Sequence, residues 1–134
     1  MRKGLFLVFI SLWLVGCHPL DKGVHVDNRS NNEIDMAEQL FEKDHRLVRS
    51  AIVLQDEKLV SAVTVKTFSR FHKRKIEKEL KKTLEQEYPE YEVTVSADYK
   101  AMYMLSKIIE QEEQENKKVE EQLDEIVKLL KEET

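Results

Sequence analysis

Val48-Arg49-Ser50-Ala51-Ile52-Val53-Leu54, then Gln55-Asp56-Glu57-Lys58, then Leu59-Val60-Ser61-Ala62-Val63-Thr64-Val65: these residues decide the fold. Val48, Ser50, Ile52 and Leu54 alternate with Arg49, Ala51 and Val53, and the same period of two returns in Leu59, Ser61, Val63 and Val65. Two β-branched runs around a four-residue polar turn read as a β-hairpin. The turn lacks Gly, which leaves its type open.

Outward from the hairpin the period changes to that of helices. Upstream, Ile34, Ala37, Leu40, Phe41, Leu47 and Val48 recur at helical spacing behind Asn32 as N-cap, predicting an amphipathic helix over Glu33 to Arg46. Downstream, Ile76, Leu80, Leu84 and Tyr88 make a narrow apolar stripe on a charged helix over Ser69 to Tyr88, which Pro89 stops. Tyr91, Val93, Val95 and Ala97 then alternate with polar residues as a third strand. The expected fold is α+β: a small three-stranded sheet with helices on one face, in the order α-β-β-α-β over residues 33–98. A right-handed crossover makes the second and third of these strands parallel, while the neighbour of the third stays open.

Residues 99–133 contain no Gly and no Pro and predict a long charged C-terminal helix. Met102, Leu105, Ile109, Glu112, Asn116, Val119, Leu123, Ile126 and Leu130 form a heptad seam with a polar centre. Two outcomes fit. A rod of about 50 Å would project and pair with a second copy, giving a homodimer, or with another partner. Alternatively the helix breaks near residues 114–117 and folds back.

The N-terminus carries a different signal. Met1-Arg2-Lys3 is a basic head, Gly4 to Val15 an apolar run of signal-peptide length, too short for a spanning helix, and Leu14-Val15-Gly16-Cys17 reads as a lipobox. The reading is a signal peptide over residues 1–16, cleavage before Cys17, and a diacylglyceryl group on the Cys17 sulfur that ties the chain to a membrane. Each buried methylene contributes about 0.8 kcal/mol, so two acyl chains hold where one is marginal. Cys17 is the only cysteine, which leaves no partner for an intramolecular disulfide. Residues 17–32 mix Pro, Gly, Asn, Ser and charge, and predict a lipidated flexible tether with a root-mean-square reach of roughly 20 Å.

The phrases AIVLQDEKLVSAVTV (Ala51 to Val65), KIEKELKKTLEQEYPEY (Lys75 to Tyr91) and VTVSADYKAM (Val93 to Met102), behind a lipobox, resemble the YhcN/YlaJ family of sporulation lipoproteins of endospore-forming bacteria. The resemblance covers roughly residues 33–105. It implies a small protein, without established catalytic activity, lipid-anchored to the outer face of the cell membrane, in the forespore or spore inner membrane, and associated with spore formation, germination or outgrowth. The element order is also similar to that of BON-type modules, which are interaction domains at membranes. The chain departs from the family after the third strand, where members commonly carry a Gly-Lys-Pro-like break and an Arg-Ile-Phe-Pro-type end motif.

Charge narrows the partners. The whole chain has a formal net charge of −4 and, once the leader with Arg2 and Lys3 is removed, 20 basic residues stand against 26 acidic ones. Bulk charge therefore argues against nucleic acid. The distribution is uneven: Lys66 to Lys82 holds eight basic and two acidic residues, whereas Glu110 to Thr134 holds ten acidic residues and four lysines. Three uses follow for the basic stretch. It is a solvated face laced by i, i+4 pairs, or a patch of Lys73, Arg74, Lys75, Lys78, Lys81 and Lys82 facing an anionic lipid surface, or a seat for the acidic tail.

No residues announce catalysis. His45 stands alone, His72 lies among Lys and Arg, no serine has a G-x-S-x-G context, and the chain has no P-loop, dinucleotide fingerprint, CxxC, HExxH or EF-hand loop. His18 and His25 lack further ligands at metal spacing, so no metal and no cofactor is expected. The functional expectation is a membrane-anchored, non-enzymatic structural or interaction module with an unidentified envelope protein as partner. The alternative is a lipid- or small-ligand-binding envelope lipoprotein, with a concave apolar site of more than about 300 Å³ built from Tyr99, Tyr103 and Met104.

Overall fold

In the computed structural model, which describes residues 23–30, 33–111 and 115–132, the chain runs β1 (Gly23–Asn28), α1 (Asp35–Lys43), β2 (Leu47–Gln55) and β3 (Lys58–Val65). A 3-10 turn (Thr67–His72) leads into α2 (Lys73–Glu87), β4 (Glu92–Ser96), α3 (Tyr99–Glu110) and α4 (Asn116–Glu132). The class is α+β, as the pattern predicts. The hairpin of β2 and β3 closes through Asp56 and Glu57, with Gln55 opposite Lys58. Asp56 takes the left-handed φ of 49° that such a turn demands and that Asp tolerates better than most residues.

The sheet has four strands in the order β1-β2-β3-β4, not three. The added strand is β1, which pairs in parallel with β2 from Gly23 opposite Arg49 to Asn28 opposite Leu54. It occupies sequence expected to be tether, so that expectation is corrected for Gly23–Asn28, and residues 17–22 lie outside the described residues. Val24 and Val26 pack on the core beneath α1 and α2, which is why this short Val-His-Val alternation joins the sheet. β4 pairs in parallel with β3, the direction a crossover through α2 requires.

Helices cover both faces of the sheet, not one. On the first face Ile52, Leu54, Leu59, Val63 and Val93 meet Ala37 and Phe41 of α1 and Ile76, Leu80 and Leu84 of α2. On the second face Ala51, Val53, Val60 and Ala62 meet Ala101, Met102, Leu105 and Ile108 of α3 and Val119, Leu123 and Ile126 of α4. The two-sided burial follows from Ala51 to Leu54 and Leu59 to Val63, which are apolar at nearly every position, as strands packed on both faces must be. Ala51 sits opposite Ala62, and these small side chains let α3 lie close across β2 and β3.

The C-terminal segment is therefore broken and folded back. Helix α3 ends at Glu110, α4 begins at Asn116, and Met102, Leu105, Val119, Leu123 and Ile126, the seam expected for a rod or zipper, are buried in the chain's own core. Gln55 donates from Nε2 to the Asn116 carbonyl, and Lys58 pairs with Asp124 and Glu120, pinning α4 to the hairpin end of the sheet. The Lys58 ammonium is held above its ordinary pKa chiefly by the hydrogen bond to Asp124. Helix α4 covers the face opposite α2, so the acidic tail does not lie on the basic helix.

The N-terminus of α1 has Ile34 at its cap position with no side-chain cap of its own. The Ala37 amide donates to the Ile34 carbonyl at 2.9 Å and shares its proton with the Tyr88 hydroxyl at 3.2 Å. Tyr88 thus closes the apolar stripe of α2 and adds a second acceptor at the first turn of α1. Burial raises the pKa of this hydroxyl, and its ring meets Tyr91 edge-on at 6.0 Å.

Candidate membrane-facing site

Strand directions bring several segments to one end of the sheet. Because β1 and β2 are parallel, β2 and β3 antiparallel, and β3 and β4 parallel, the starts of β1 and β2 meet the ends of β3 and β4 there. Gly23, where the described chain begins, lies opposite Arg49, which lies opposite Thr64. Adjacent strands are roughly 4.8 Å apart, so Gly23 is about 10 Å across the sheet from Thr64. The 3-10 turn, the start of α2 and the start of α3 all belong to this end.

The basic patch divides into two kinds of residue here. Lys73 Nζ is 2.9 Å from Asp98 Oδ1, and Arg74 reaches Glu77 at 3.1 Å and Asp98 at 3.6 Å. Glu77 Oε1 also accepts the Ala97 amide at 2.7 Å, and the Ser96 hydroxyl accepts the Asp98 amide at 3.1 Å. Together these bonds latch the first turn of α2 onto the junction of β4 and α3. The Lys73 hydrogen bond, ahead of the burial that opposes it, holds the Asp98 carboxyl below the usual aspartate range. Lys73 and Arg74 are therefore paired within the molecule while their side chains stay 36% and 55% exposed.

The other four patch residues are exposed. Lys75 lies 4.0 Å from Glu79 and Lys81 3.9 Å from Glu85, the i, i+4 lacing of a solvated helix face. Lys78 and Lys82 have no ion-pair partner among the described residues. At 1.5 Å per residue, Lys82 stands roughly 13 Å along α2 from Lys73, well away from the end where the chain begins. Lys75 and, before the helix, Lys66 and Arg70 stay at that end.

The 3-10 turn holds residues that charge counting passes over. Phe68 and Phe71 are 94% and 95% exposed, and the turn buries no residue at all. Tyr99, at the first position of α3, is 83% exposed. Tyr103, half exposed, carries the Lys107 ammonium 4.5 Å above its ring. The signal for the two phenylalanines was present as an F-x-x-F spacing within a basic run, upstream of the stripe that begins at Ile76.

The apolar site expected from Tyr99, Tyr103 and Met104 is not formed. Both tyrosines face solvent, and the space beside Met104, Ala101 and Ile126 is about 10 Å³. An apolar groove of about 210 Å³ lies elsewhere, between α1 and α2, lined by Met36, Leu40, Leu84 and Tyr88. His45 and His72 are exposed, in the turn after α1 and at the end of the 3-10 turn. Among the described residues no cluster of His, Cys, Asp and Glu has the makings of a metal site, and no helix is long and apolar enough to cross a membrane. The lipobox, Leu14, Val15, Gly16 and Cys17, lies outside the described residues. No protein-family model matches the chain, and neither does any curated protein or solved structure.

Proposed function

We propose that the chain is a lipid-anchored, non-enzymatic module of the sporulation or spore envelope, held to the outer face of the cell membrane by diacylglyceryl-Cys17 and acting through contacts with a neighbouring envelope protein or the membrane surface. The observation that carries this reading is the lipobox Leu14-Val15-Gly16-Cys17 at the end of an apolar leader. The resemblance to YhcN/YlaJ lipoproteins supports the link to spore formation, germination or outgrowth. The position of Gly23 supports the anchored geometry: Cys17 is six residues away, and an extended chain spans at most about 3.5 Å per residue, so the sulfur lies within roughly 20 Å of the end of the sheet.

Fractionation of cells and purified spores tests the proposal. Tagged wild type should sediment with membranes and show, by mass spectrometry, a mature N-terminus at a diacylated Cys17, while Cys17→Ala should leave the membrane fraction. An intact leader with an unmodified thiol, or full membrane retention of the Cys17→Ala form, would overturn it.

A further inference from the structure

We propose that the turn Thr67–His72 is a bilayer-docking element, in which Phe68 and Phe71 enter the interface of an anionic membrane while Lys66, Arg70 and Lys75 meet its headgroups. The proposal deepens the anchored-module reading and rests on it for the nearness of the bilayer.

Three independent observations converge on this turn. A 3-10 helix has three residues per turn, so residues i and i+3 eclipse and Phe68 and Phe71 stand on one side. Both rings are almost fully exposed in a segment that gives nothing to the core. Two adjacent exposed phenylalanines form an apolar prong, and an apolar prong beside basic residues is the composition of elements that lie in a membrane interface. Tyr99 at the same end adds a ring of the type enriched at headgroup level.

The unpaired charge beside the prong is positive. Lys66 and Arg70 flank the phenylalanines and have no ion-pair partner among the described residues, and Lys75 follows one turn on. Acids at this end are already paired: Asp98 with Lys73 at 2.9 Å, Asp44 and Glu79 with Arg46 at 2.8 and 2.6 Å, and Glu77 with Arg74 at 3.1 Å. In a chain whose net charge is −4, a basic end points the molecule toward a negative surface. Each Lys or Arg brought to anionic headgroups strengthens binding about fivefold.

Chain connectivity supplies the occupant. The residues that lead to Cys17 leave the sheet at Gly23, about 10 Å from the strand that runs into the turn. Diacylation at Cys17 sets this end, and not the hairpin end at Asp56, against the bilayer. The latch of Lys73, Arg74, Glu77 and Asp98 fixes the base of the turn, so the prong is presented by a rigid scaffold.

The experiment uses the full chain, purified as the cell matures it, in a Trp13→Phe background, so that no native indole remains whether or not the leader has been removed. Phe71→Trp places the reporter in the turn, and Glu57→Trp, at an exposed position of ordinary φ, places a control at the opposite end of the sheet. Each form is reconstituted into vesicles of phosphatidylglycerol with phosphatidylcholine, or of phosphatidylcholine alone, containing lipid brominated on the acyl chains. The proposal expects the Phe71→Trp indole to shift to the blue and be quenched in anionic vesicles, the Glu57→Trp indole to remain unquenched, and Lys66→Glu with Arg70→Glu to reduce the quenching severalfold. Protein that co-floats with anionic vesicles while the Phe71→Trp indole stays unquenched overturns the docking and leaves the anchor standing. Quenching by a chain found to lack the diacyl group upholds the docking and overturns the anchor. Protein that does not co-float with either vesicle overturns both.

Discussion

Replacing Leu123 with Ala tests whether the C-terminal helix belongs to the core of its own chain. Leu123 is fully buried on the second face of the sheet, in one cluster with Val53, Val60, Met102 and Leu105. Truncation there removes three heavy atoms and leaves a cavity that sheet and helices close only in part, which costs about 3 kcal/mol. For a domain of this size that lowers the melting temperature by roughly 10 °C. Glu125→Ala, an exposed position on the same helix, is the control and should stay within about 0.5 kcal/mol of wild type. Urea and thermal unfolding followed by circular dichroism, at two protein concentrations tenfold apart, distinguish a helix folded on its own sheet from one paired with a second copy. The folded-back helix gives a concentration-independent melting temperature. A Leu123→Ala loss no larger than that of Glu125→Ala, or a melting temperature that climbs with protein concentration, would refute the assignment of α4 to this core.

Three further outcomes follow from the geometry. Asp98→Asn should cost about 1 kcal/mol, because Lys73 and Asp98 are both partly exposed and screened; since the folded-state pKa of Asp98 is depressed, the difference from wild type in urea melts should be full above the ordinary aspartate pKa of about 3.9 and fade as pH falls through the lower folded value. Hydrogen exchange should find protected amides within Gly23–Asn28, and Val26→Asp should abolish that protection while destabilising the fold; exchange at coil rates in the wild type would return this segment to the tether. Asp56→Val should lower stability by about 1–2 kcal/mol, because a β-branched residue is strained at φ 49°, whereas Asp56→Gly should be tolerated, and equal melting temperatures for the two would show that the turn does not need the left-handed conformation.

The hairpin was legible because its signal is local: two β-branched runs and a polar turn suffice. Its second buried face was also written in Ala51-Ile52-Val53-Leu54, a run apolar at every position, but reading it by alternation assigns only half of those side chains a covering layer. The cover itself lies in Met102, Leu105, Val119 and Leu123, whose three-and-four spacing suits a coiled-coil seam and a helix packed on a sheet equally well. Strand β1 escaped because Val24-His25-Val26 offers a single alternation between Gly and Asn. Its place is set by the partner strand and by the core beneath it, neither of which is local in sequence. Of the basic patch, composition revealed the charge of Lys73 and Arg74 but not their use, since Asp98 lies some 25 residues downstream and only the crossover brings it into reach. Phe68 and Phe71 stood in plain view, yet their exposure depends on the 3-10 turn breaking the helical phase before Lys73.

A load applied at Gly23 enters the molecule through an edge strand. A pull along the strand axis shears the whole β1–β2 ladder at once, with its hydrogen bonds sharing the force, whereas a pull across the sheet opens them one after another. Axial strain arriving at Gly23 would therefore reach β2 and the central hairpin through the full length of the ladder.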